Sequence, residues 1–468
     1  MSKHILKKAK VGLLVTALLE DEWNKTAHIR PKAVEATGRI AGVLERYAEV
    51  INPGFVENEE DAYRAAAVFN AEDVSLIVFV ELAYQKGLVP LRTLLAAHAP
   101  ILVWNTQMIR DYPDDADFDL IMLNSGMAGL AEVTGALKRT GRTFSVITGH
   151  LGDERMLEVV KDHLEAAKTV HNLKNARIGV IGHPYEGMVD LMVDNLSLRD
   201  KIGPVVWPIE HEWVAEAAER IRNSEILELI NEERLRYGSL EVPSPALEKS
   251  FALALALESV VKEHDLDAVA EFDQIWLKDP RVGVIPSYGS SRLTAMGIPF
   301  TCEADVGQAA AMLILQNLTG HATFLENYMM DFKEDVMMLS HDGHGNPALA
   351  SAPEEVAVKP SIYYEGVHGY GASFEYAYRP GDFTLMSLVP DGKGHWRMVI
   401  AEGESLPMKP RHIVAPQMLF RYAGGSIADY ATRWVEAGPS HHMVGAYGRL
   451  AETLKRVAEM TGIEAVVV

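Results

Sequence analysis

The sequence predicts an α/β fold with two doubly wound parallel-sheet domains, followed by a β-rich, barrel-like C-terminal domain. Short apolar runs alternate with longer helical patterns in the first third, and the same rhythm starts again near residue 173. After residue 322, short strand-like segments separated by turn residues replace it. The expected domains are therefore 1–172, 173–322 and 323–468.

The first domain is expected to contain a parallel sheet covered by helices. The segments VGLLVTALL, VSLIVFVEL, PILVWNTQ and FSVITGHL are short, apolar and β-branched, as buried strands are. Between them, RPKAVEATGRIAGVLERY and DERMLEVVKDHLEAA carry apolar residues at helical spacing. Ligands of such sheets bind beyond the carboxyl ends of the strands. The polar stretch TVHNLKN, residues 169–175, is expected to be a domain boundary.

The second domain repeats this pattern, and the third does not. Strands are expected at ARIGVIGH, GPVVWPIEH, DAVAEFDQ and GIPFTCEAD, and helices at WVAEAAERIRN and PALEKSFALALALESVVKEH. The third domain offers the strand-like segments VAVKPS, FTLMSLVP, HWRMVIAEGES and RHIVAPQMLF, which predict a barrel-like arrangement. One amphipathic helix, LAETLKRVAEMTG, and a strand, EAVVV, complete the prediction.

Composition narrows the class of protein. Acidic residues outnumber basic ones by 65 to 44, so a formal charge of −21 disfavours nucleic acid and anionic membranes as partners. The single cysteine, Cys302, excludes an internal disulfide and a multi-cysteine zinc site, and fits a reducing compartment. The early apolar run VGLLVTALL is too short to span a bilayer and lacks a small-residue cleavage site. We therefore expect a cytoplasmic protein.

Common catalytic motifs are missing from the sequence. No G-x-G-x-x-G follows a predicted strand, and neither a Walker A sequence nor a G-x-S-x-G nucleophile elbow occurs. Phosphoryl transfer and serine hydrolysis are therefore disfavoured.

Two glutamates stand in apolar surroundings that are unusual for exposed carboxylates. Glu303 comes directly after an apolar strand and before an apolar helix, which Asp305 is expected to cap with Gln308 as its capping-box partner. Glu303 would then not be needed as a helix cap and would lie at the ligand-binding edge of the sheet. Glu326 lies in HATFLENYMMDF, where strand alternation would place its carboxylate between Phe324 and Tyr328.

Histidines complete a candidate metal-ligand set. His341 ends a strand-like run in LSHDGHGNP, and His441 and His442 stand side by side in GPSHHMVGAYG. Adjacent side chains on a strand point to opposite faces, so we expect at most one of these two to face a given pocket. Two carboxylates and two histidines suit Mn²⁺, Mg²⁺ or Co²⁺. Separate structural roles for these residues are the alternative.

The order of these segments resembles the L-arabinose isomerase family over most of the chain. FTCEADVGQAA, FLENY, LSH and GPSHHM are similar to that family's four metal-ligand segments, and NTQMIRDYP, LNSGMAG and TGHLGD are similar to N-terminal ones. The resemblance implies a divalent metal, foremost Mn²⁺ with Co²⁺ or Mg²⁺ as alternatives, and a homo-oligomer, tetrameric or hexameric. The implied metal ligands are Glu303, Glu326, His341 and His442.

The resemblance also implies a substrate pocket that differs from the family's. His441, Met188, Phe272, Tyr328 and Leu18 would lie at the sugar.

Three positions depart from the family pattern. Leu18 stands where the family has a glutamine, Ala128 where it has a histidine, and Val306 where it has a tryptophan. Each of the first two changes removes a polar side chain able to bond a sugar hydroxyl. A substrate other than L-arabinose is therefore expected.

The reaction that the resemblance implies is the interconversion of an aldose and a ketose through an ene-diol(ate) intermediate. Glu303 and Glu326 would be the acid–base pair as well as metal ligands. Which of the two glutamates takes the proton from carbon stays open. Two alternatives remain at this stage: an epimerase, lyase or hydrolase acting on a sugar, polyol or sugar acid, and a sugar-binding relative without turnover.

Overall fold

The computed structural model describes residues 7–17, 29–363 and 367–468. Leu18, which the resemblance implies at the substrate, lies outside the described residues. The chain divides into two compact units, one ending at His171 and the other containing Asn172–Val468. The three-domain division stays a prediction, and the two units are described separately below.

The first unit contains the expected parallel sheet, with five strands in the order β2-β1-β3-β4-β5. They are Lys10–Thr16 (β1), Glu49–Ile51 (β2), Leu76–Glu81 (β3), Ile101–Asn105 (β4) and Phe144–Thr148 (β5). All their pairings are parallel. Strand order reverses at β1, so right-handed crossovers place helices on both faces. The predicted doubly wound sheet is confirmed.

Helices connect these strands. They are Ile29–Leu44 (α1), Glu59–Ala71 (α2), Leu88–Ala96 (α3), Phe118–Leu123 (α4), Gly126–Thr140 (α5) and Glu154–Asn175 (α6). The stretch 169–175, expected to be a boundary, is the last part of α6. The segment Phe118–Thr140 is long and apolar enough to cross a membrane by length and composition. It is divided between α4 and α5, and helices that cover a soluble core pass the same test.

The second unit begins with another parallel sheet, in the order β10-β9-β6-β7. Its strands are Arg177–Ile181 (β6), Val205–Ile209 (β7), Ala268–Glu271 (β9) and Phe300–Thr301 (β10), and Ser239–Leu240 (β8) pairs elsewhere. The accompanying helices are Asn195–Lys201 (α7), His211–Arg220 (α8), Asn223–Arg236 (α9), Ser244–Glu263 (α10), Ile275–Lys278 (α11), Ser287–Ala295 (α12) and Val306–Thr319 (α13). The sequence predicted α8 but not α9.

A large, mostly antiparallel sheet follows in the same unit. Its strands are Thr323–Asp331 (β11), Val336–Ser340 (β12), Ala357–Tyr363 (β13), Val367–Ala377 (β14), Gly381–Pro390 (β15), Trp396–Leu406 (β16), Pro416–Tyr422 (β17), His442–Tyr447 (β18) and Glu464–Val467 (β19). The order β16-β15-β18-β11-β12-β17 is joined at its ends by a further β16–β17 pairing. This ring of pairings is the barrel-like feature that the sequence predicted.

Two helices accompany this sheet, although the sequence predicted only one. They are Ile427–Glu436 (α14) and Ala451–Thr461 (α15). Side chains from the inner faces of the strands form a buried core that includes Leu325, Phe383 and Phe420. Helix α13 packs on both the parallel sheet and the antiparallel sheet, and all its residues from Val306 to Leu315 are buried. The N-terminus of α13 therefore lies where the two sheets of this unit meet.

Candidate metal centre and active site

Three neighbouring antiparallel strands bring Glu326, His341 and His442 together. Glu326 on β11 pairs with Ser340 on one side and with His442 on the other. His341 directly follows Ser340 at the end of β12. The pairing register thus gathers side chains that lie far apart in the sequence.

Glu303 reaches the same point from the parallel sheet. It follows β10, as Phe272 follows β9, so both lie beyond the carboxyl ends of parallel strands where ligands of such sheets bind. Glu303 and Ala304 have φ values of 57° and 55°, which turn the chain sharply before α13. The Ala304 N–H donates to the Glu271 carbonyl at 2.9 Å and fixes this turn on the sheet.

His442 lies close to each of the other three predicted metal ligands. His442 Nε2 is 3.3 Å from His341 Nε2, 3.4 Å from Glu303 Oε2 and 4.0 Å from Glu326 Oε1. His341 Nε2 is 3.9 Å from Glu326 Oε2. Two groups whose ligand atoms all lie within 4.8 Å can be drawn from the described residues, and His442 belongs to both. Their members are Glu303, His441 and His442, and Glu326, His341 and His442.

Asp305 sets the orientation of His442. Its Oδ2 atom lies 2.9 Å from His442 Nδ1, an arrangement that holds a proton on Nδ1 and turns the Nε2 lone pair toward the cluster. Its Oδ1 atom accepts the Gln308 N–H at 2.9 Å and caps α13, as predicted. The capping-box prediction is wrong, because the Gln308 side chain bonds to the backbone of Leu388 instead.

Burial shapes the electrostatics of this cluster. It lowers the pKa of His341 well below its ordinary value, which keeps the imidazole neutral and able to bind a metal through a lone pair. It raises the pKa of Glu326, although His442 and His441 oppose this shift. The Phe324 ring packs against the rings of His341 and His442 at centroid distances of 4.7 and 4.5 Å and covers one side of the cluster.

Both adjacent histidines reach the cluster, so the expectation that only one would do so is wrong. His441 precedes β18, which begins at His442, and strand alternation therefore does not separate them. His441 Nε2 lies 3.6 Å from Glu303 Oε2 and 3.8 Å from Glu326 Oε1. Burial lowers the pKa of His441, but bonds to Glu303 and Asp190 outweigh this and raise it to about 9.

Two further residues implied at the substrate, Met188 and Phe272, lie in loops that follow strands of the parallel sheet. Met188 is half-buried in the loop after β6, and its N–H lies 3.3 Å from the Tyr185 carbonyl. The Phe272 ring lies 4.6 Å from the His183 ring and 5.7 Å from the Tyr185 ring. The Tyr185 N–H donates to the Glu303 carbonyl at 3.2 Å, which joins this aromatic group to the turn that carries Glu303.

Tyr328 departs from the expected strand pattern. The register between β11 and β12 shifts between Asn327 and Met329, so simple alternation ends before Tyr328. Its side chain is 43% exposed, whereas Phe324 is buried. Glu326 is therefore not enclosed between two buried aromatic rings. Ala128 is an exposed residue of α5, in the first unit.

Carboxylates that sequence reasoning did not single out also lie close to the cluster. Burial raises the pKa values of Asp273 and Asp342 to about 7, and neighbouring carboxylates, Glu303 among them, add to both increases. Asp190 contacts His441. Asp342 follows His341 directly, and Asp273 lies near the carboxyl end of the predicted strand DAVAEFDQ. These two positions were the signals that the sequence offered. So many buried acids in one place favour the binding of a cation.

Comparison with known proteins gives the same family as the residue pattern. The family model described as "L-arabinose isomerase C-terminal domain" matches residues 321–464. L-arabinose isomerase from Shouchella clausii (strain KSM-K16) is 24% identical over 381 residues, which are 79% of this chain and 76% of that protein. The Geobacillus thermodenitrificans (strain NG80-2) enzyme is 25% identical over 400 residues, 80% of this chain and 77% of that protein. The chain is therefore similar to L-arabinose isomerases over most of its length.

The family-model match covers most of the candidate ligands but not Glu303. The matched C-terminal region, residues 321–464, contains Glu326, His341, His441 and His442. Glu303 lies before it, in the turn between β10 and α13. The L-arabinose isomerase from Thermotoga petrophila (strain RKU-1) is 24% identical over 384 residues, 79% of this chain and 75% of that protein, so similarity extends well beyond this region.

Proposed function

We propose that this protein is a metal-dependent aldose–ketose isomerase that acts on a free sugar through an ene-diol(ate) intermediate. The observation that carries the proposal is that Glu303, Glu326 and His341 each have a ligand atom 4.0 Å or less from His442 Nε2. Binding of a sugar alone needs no pair of carboxylates beside metal-binding imidazoles. The relatives that bear the name L-arabinose isomerase support the reaction class.

Glu303, Glu326, His341 and His442 would hold the divalent ion. Their donor set fits an ion such as Mn²⁺, with Co²⁺ and Mg²⁺ as alternatives, because it combines carboxylate oxygens with imidazole nitrogens. The Asp305 carboxylate supports this fit, since it fixes the His442 tautomer whose Nε2 can bind a metal. When bound, the ion would polarise the sugar carbonyl and stabilise negative charge on its oxygen.

The chain's own groups would move the protons. Aldose–ketose interconversion needs a base that takes a proton from carbon and an acid that returns one to the neighbouring carbon. Glu303 and Glu326 would supply the base and the acid. His441 Nε2 lies 3.6 Å from the Glu303 carboxylate and 3.8 Å from the Glu326 carboxylate. His441 would donate a hydrogen bond to a substrate oxygen and keep it in line with the two carboxylates.

The proposed substrate is a monosaccharide other than L-arabinose. Leu18 and Ala128 stand where the resemblance leads one to expect polar side chains, so two hydroxyl partners would be lost. An unpaired hydroxyl in a closed pocket costs about 1–3 kcal/mol. The proposal also includes a cytoplasmic location and a homo-oligomer, tetrameric or hexameric, with no nucleic-acid or membrane partner.

The decisive experiment is a screen of aldoses and ketoses with Mn²⁺ in D₂O, followed by NMR. An isomerase produces new anomeric signals of the partner sugar and incorporates deuterium at C1 or C2. Appearance of an epimeric aldose without any ketose would instead favour the epimerase alternative. A sugar-binding protein without turnover would give no new signal and no deuterium incorporation, and would disprove the proposal.

Variants of the two glutamates test the acid–base assignment. Glu303→Gln and Glu326→Gln keep the side-chain shape but remove the carboxylate, so each should lower kcat by at least about 10²-fold. Glu334→Gln, on the exposed turn between β11 and β12, is the matched control and should keep full activity. A Glu326→Gln variant with wild-type kcat would contradict the assignment.

A further inference from the structure

Asp190 and His441 form a contact that joins segments 251 residues apart in the chain. Asp190 lies in a short 3₁₀ turn, Val189–Leu191, in the loop after β6. One of its carboxylate oxygens, Oδ2, is 2.7 Å from His441 Nδ1 and accepts the His441 backbone N–H at 2.9 Å. The same oxygen accepts the Ser440 hydroxyl at 2.8 Å.

This contact decides which nitrogen of His441 faces the cluster. Because Nδ1 is engaged with Asp190, Nε2 is the atom left to face Glu303 and Glu326, at 3.6 and 3.8 Å. The His441 ring also lies against the His442 ring, with a centroid distance of 3.9 Å. The imidazole is thus restrained on two sides, by Asp190 at one ring nitrogen and by His442 at one ring face.

We propose that Asp190 is a positioning residue that holds His441 with Nε2 directed at the reacting part of the substrate. This inference rests on the proposed isomerase function. Asp190 would not touch substrate or metal itself. A carboxylate that orients an imidazole fixes both its tautomer and its rotation, and loss of such a partner typically lowers activity about 10–100-fold.

The backbone of this segment has a second support, which lets the role of Asp190 be separated from simple loop anchoring. The Ser440 N–H donates to the Ser387 hydroxyl at 3.1 Å, and that hydroxyl donates to the His442 carbonyl at 3.2 Å. Ser387 belongs to β15, inside the antiparallel sheet. The chain around His442 should therefore stay in place when the Asp190 carboxylate is changed, while the His441 ring loses its partner.

Three substitutions test the proposal. Asp190→Asn keeps the side-chain size but weakens the contact with Nδ1, so kcat and kcat/KM should both fall about 10–100-fold, with Mn²⁺ affinity unchanged by calorimetry. Asp194→Asn is the matched control, since Asp194 lies on the same loop but caps α7 and does not contact His441. Ser440→Ala removes one bond to Asp190 but leaves the ring contact, and should keep most of kcat.

A spectroscopic measurement tests the contact between Asp190 and His441 without requiring turnover. Long-range ¹H–¹⁵N NMR of histidine-labelled, metal-free protein should show a hydrogen-bonded Nδ1 proton on His441 in the wild type and a shifted, more weakly hydrogen-bonded signal in Asp190→Asn. If no sugar is isomerised but this signal changes as expected, the proposed function fails while the contact is supported. Three results would overturn the inference: equal kcat in Asp190→Asn and Asp194→Asn, an unchanged signal, or a loss of Mn²⁺ affinity as large as the loss of rate.

Discussion

At the scale of single residues, the backbone of Glu303 and Ala304 is the feature that the sequence could not predict. Both adopt left-handed φ values, 57° and 55°, which are uncommon for residues other than glycine. Strained backbone of this kind concentrates at functional sites, where surrounding structure holds it in place. Here it turns the chain from β10 into α13 and directs the Glu303 side chain toward His442. Glutamate and alanine are not residue types from which such a turn can be predicted.

Glu81 in the first unit leads to a prediction on pH dependence. The side chain is fully buried at the end of β3, and only its Oε1 atom accepts a bond in the described structure, from the Gln85 N–H. Helix α5 approaches it so closely that a Cβ at Gly129 would lie 1.5 Å from Oε1. Burial raises the pKa of Glu81 to about 8 from an ordinary value of 4.5, and Glu132 adds to the increase.

The sign of the effect follows from the raised pKa. Below pH 4.5 both folded and unfolded chains keep the proton, and the contribution to stability is fully present. As pH rises toward 8, the unfolded chain ionises first, so stability is lost by up to about 1.4 kcal/mol per pH unit. Glu81→Gln removes this dependence. Its stability relative to wild type, measured by urea unfolding, should therefore increase through that window and level off above it.

The exposed Glu60 provides the control for this prediction. Glu60→Gln should follow the wild-type pH dependence of unfolding. A Glu81→Gln variant whose stability runs parallel to wild type from pH 5 to 8 would show that Glu81 is ionised in the folded protein.

At the scale of elements, apolar periodicity predicted most of the described strands but fewer than half of the described helices, and α9 and α14 are two of the helices that it missed. Helix α14 has a capping box in which Ser426 and Asp429 bond each other's backbone N–H, and this S-x-x-D pattern was available in the sequence. Helix α9 follows α8 after only two residues, and the predicted helix WVAEAAERIRN ended at Asn223, where α9 begins. Short-range patterns report an element's type well and its ends poorly, since tertiary packing decides where helices stop.

Asp305 links an element to the site, because the same side chain caps α13 and orients His442. Asp305→Asn keeps a good N-cap but replaces the carboxylate that faces Nδ1. It should therefore lower Mn²⁺ affinity about 10–100-fold and leave metal-free stability within about 1 kcal/mol. Asp305→Ala should lose affinity similarly and, in addition, about 0.5–2 kcal/mol of unfolding free energy. Calorimetry and urea unfolding measure the two effects.

Ser426→Ala is the matched control for the cap, since Ser426 caps α14 by the same kind of bond, accepting the Asp429 N–H. It should lose stability without any change in Mn²⁺ affinity. Wild-type affinity in Asp305→Asn would contradict the role of Asp305 in orienting His442.

At the scale of the whole molecule, the sequence predicted which residues to consider but not how they meet. Glu303, Glu326, His341 and His442 come from a turn after the parallel sheet and from three strands of the antiparallel sheet. The register between β11 and β18, which sets Glu326 beside His442, is a long-range property that local patterns do not encode. Asp190 escaped notice for the same reason, because its partner lies 251 residues away.

This assembly from distant segments predicts that metal binding stabilises the second unit. The proposed ligands approach one another only when both sheets of that unit are formed, so an unfolded chain would not hold the ion in the same way. An ion that binds only the folded state adds about 2.7 kcal/mol at a free concentration one hundred times Kd. Mn²⁺ should therefore raise the Tm of the wild-type protein in calorimetric scans, and chelator should reverse the change. His341→Ala and His442→Ala should abolish the increase, whereas His412→Ala, at an exposed position, should retain it. An increase of wild-type size in either ligand variant would place the ion elsewhere on the molecule.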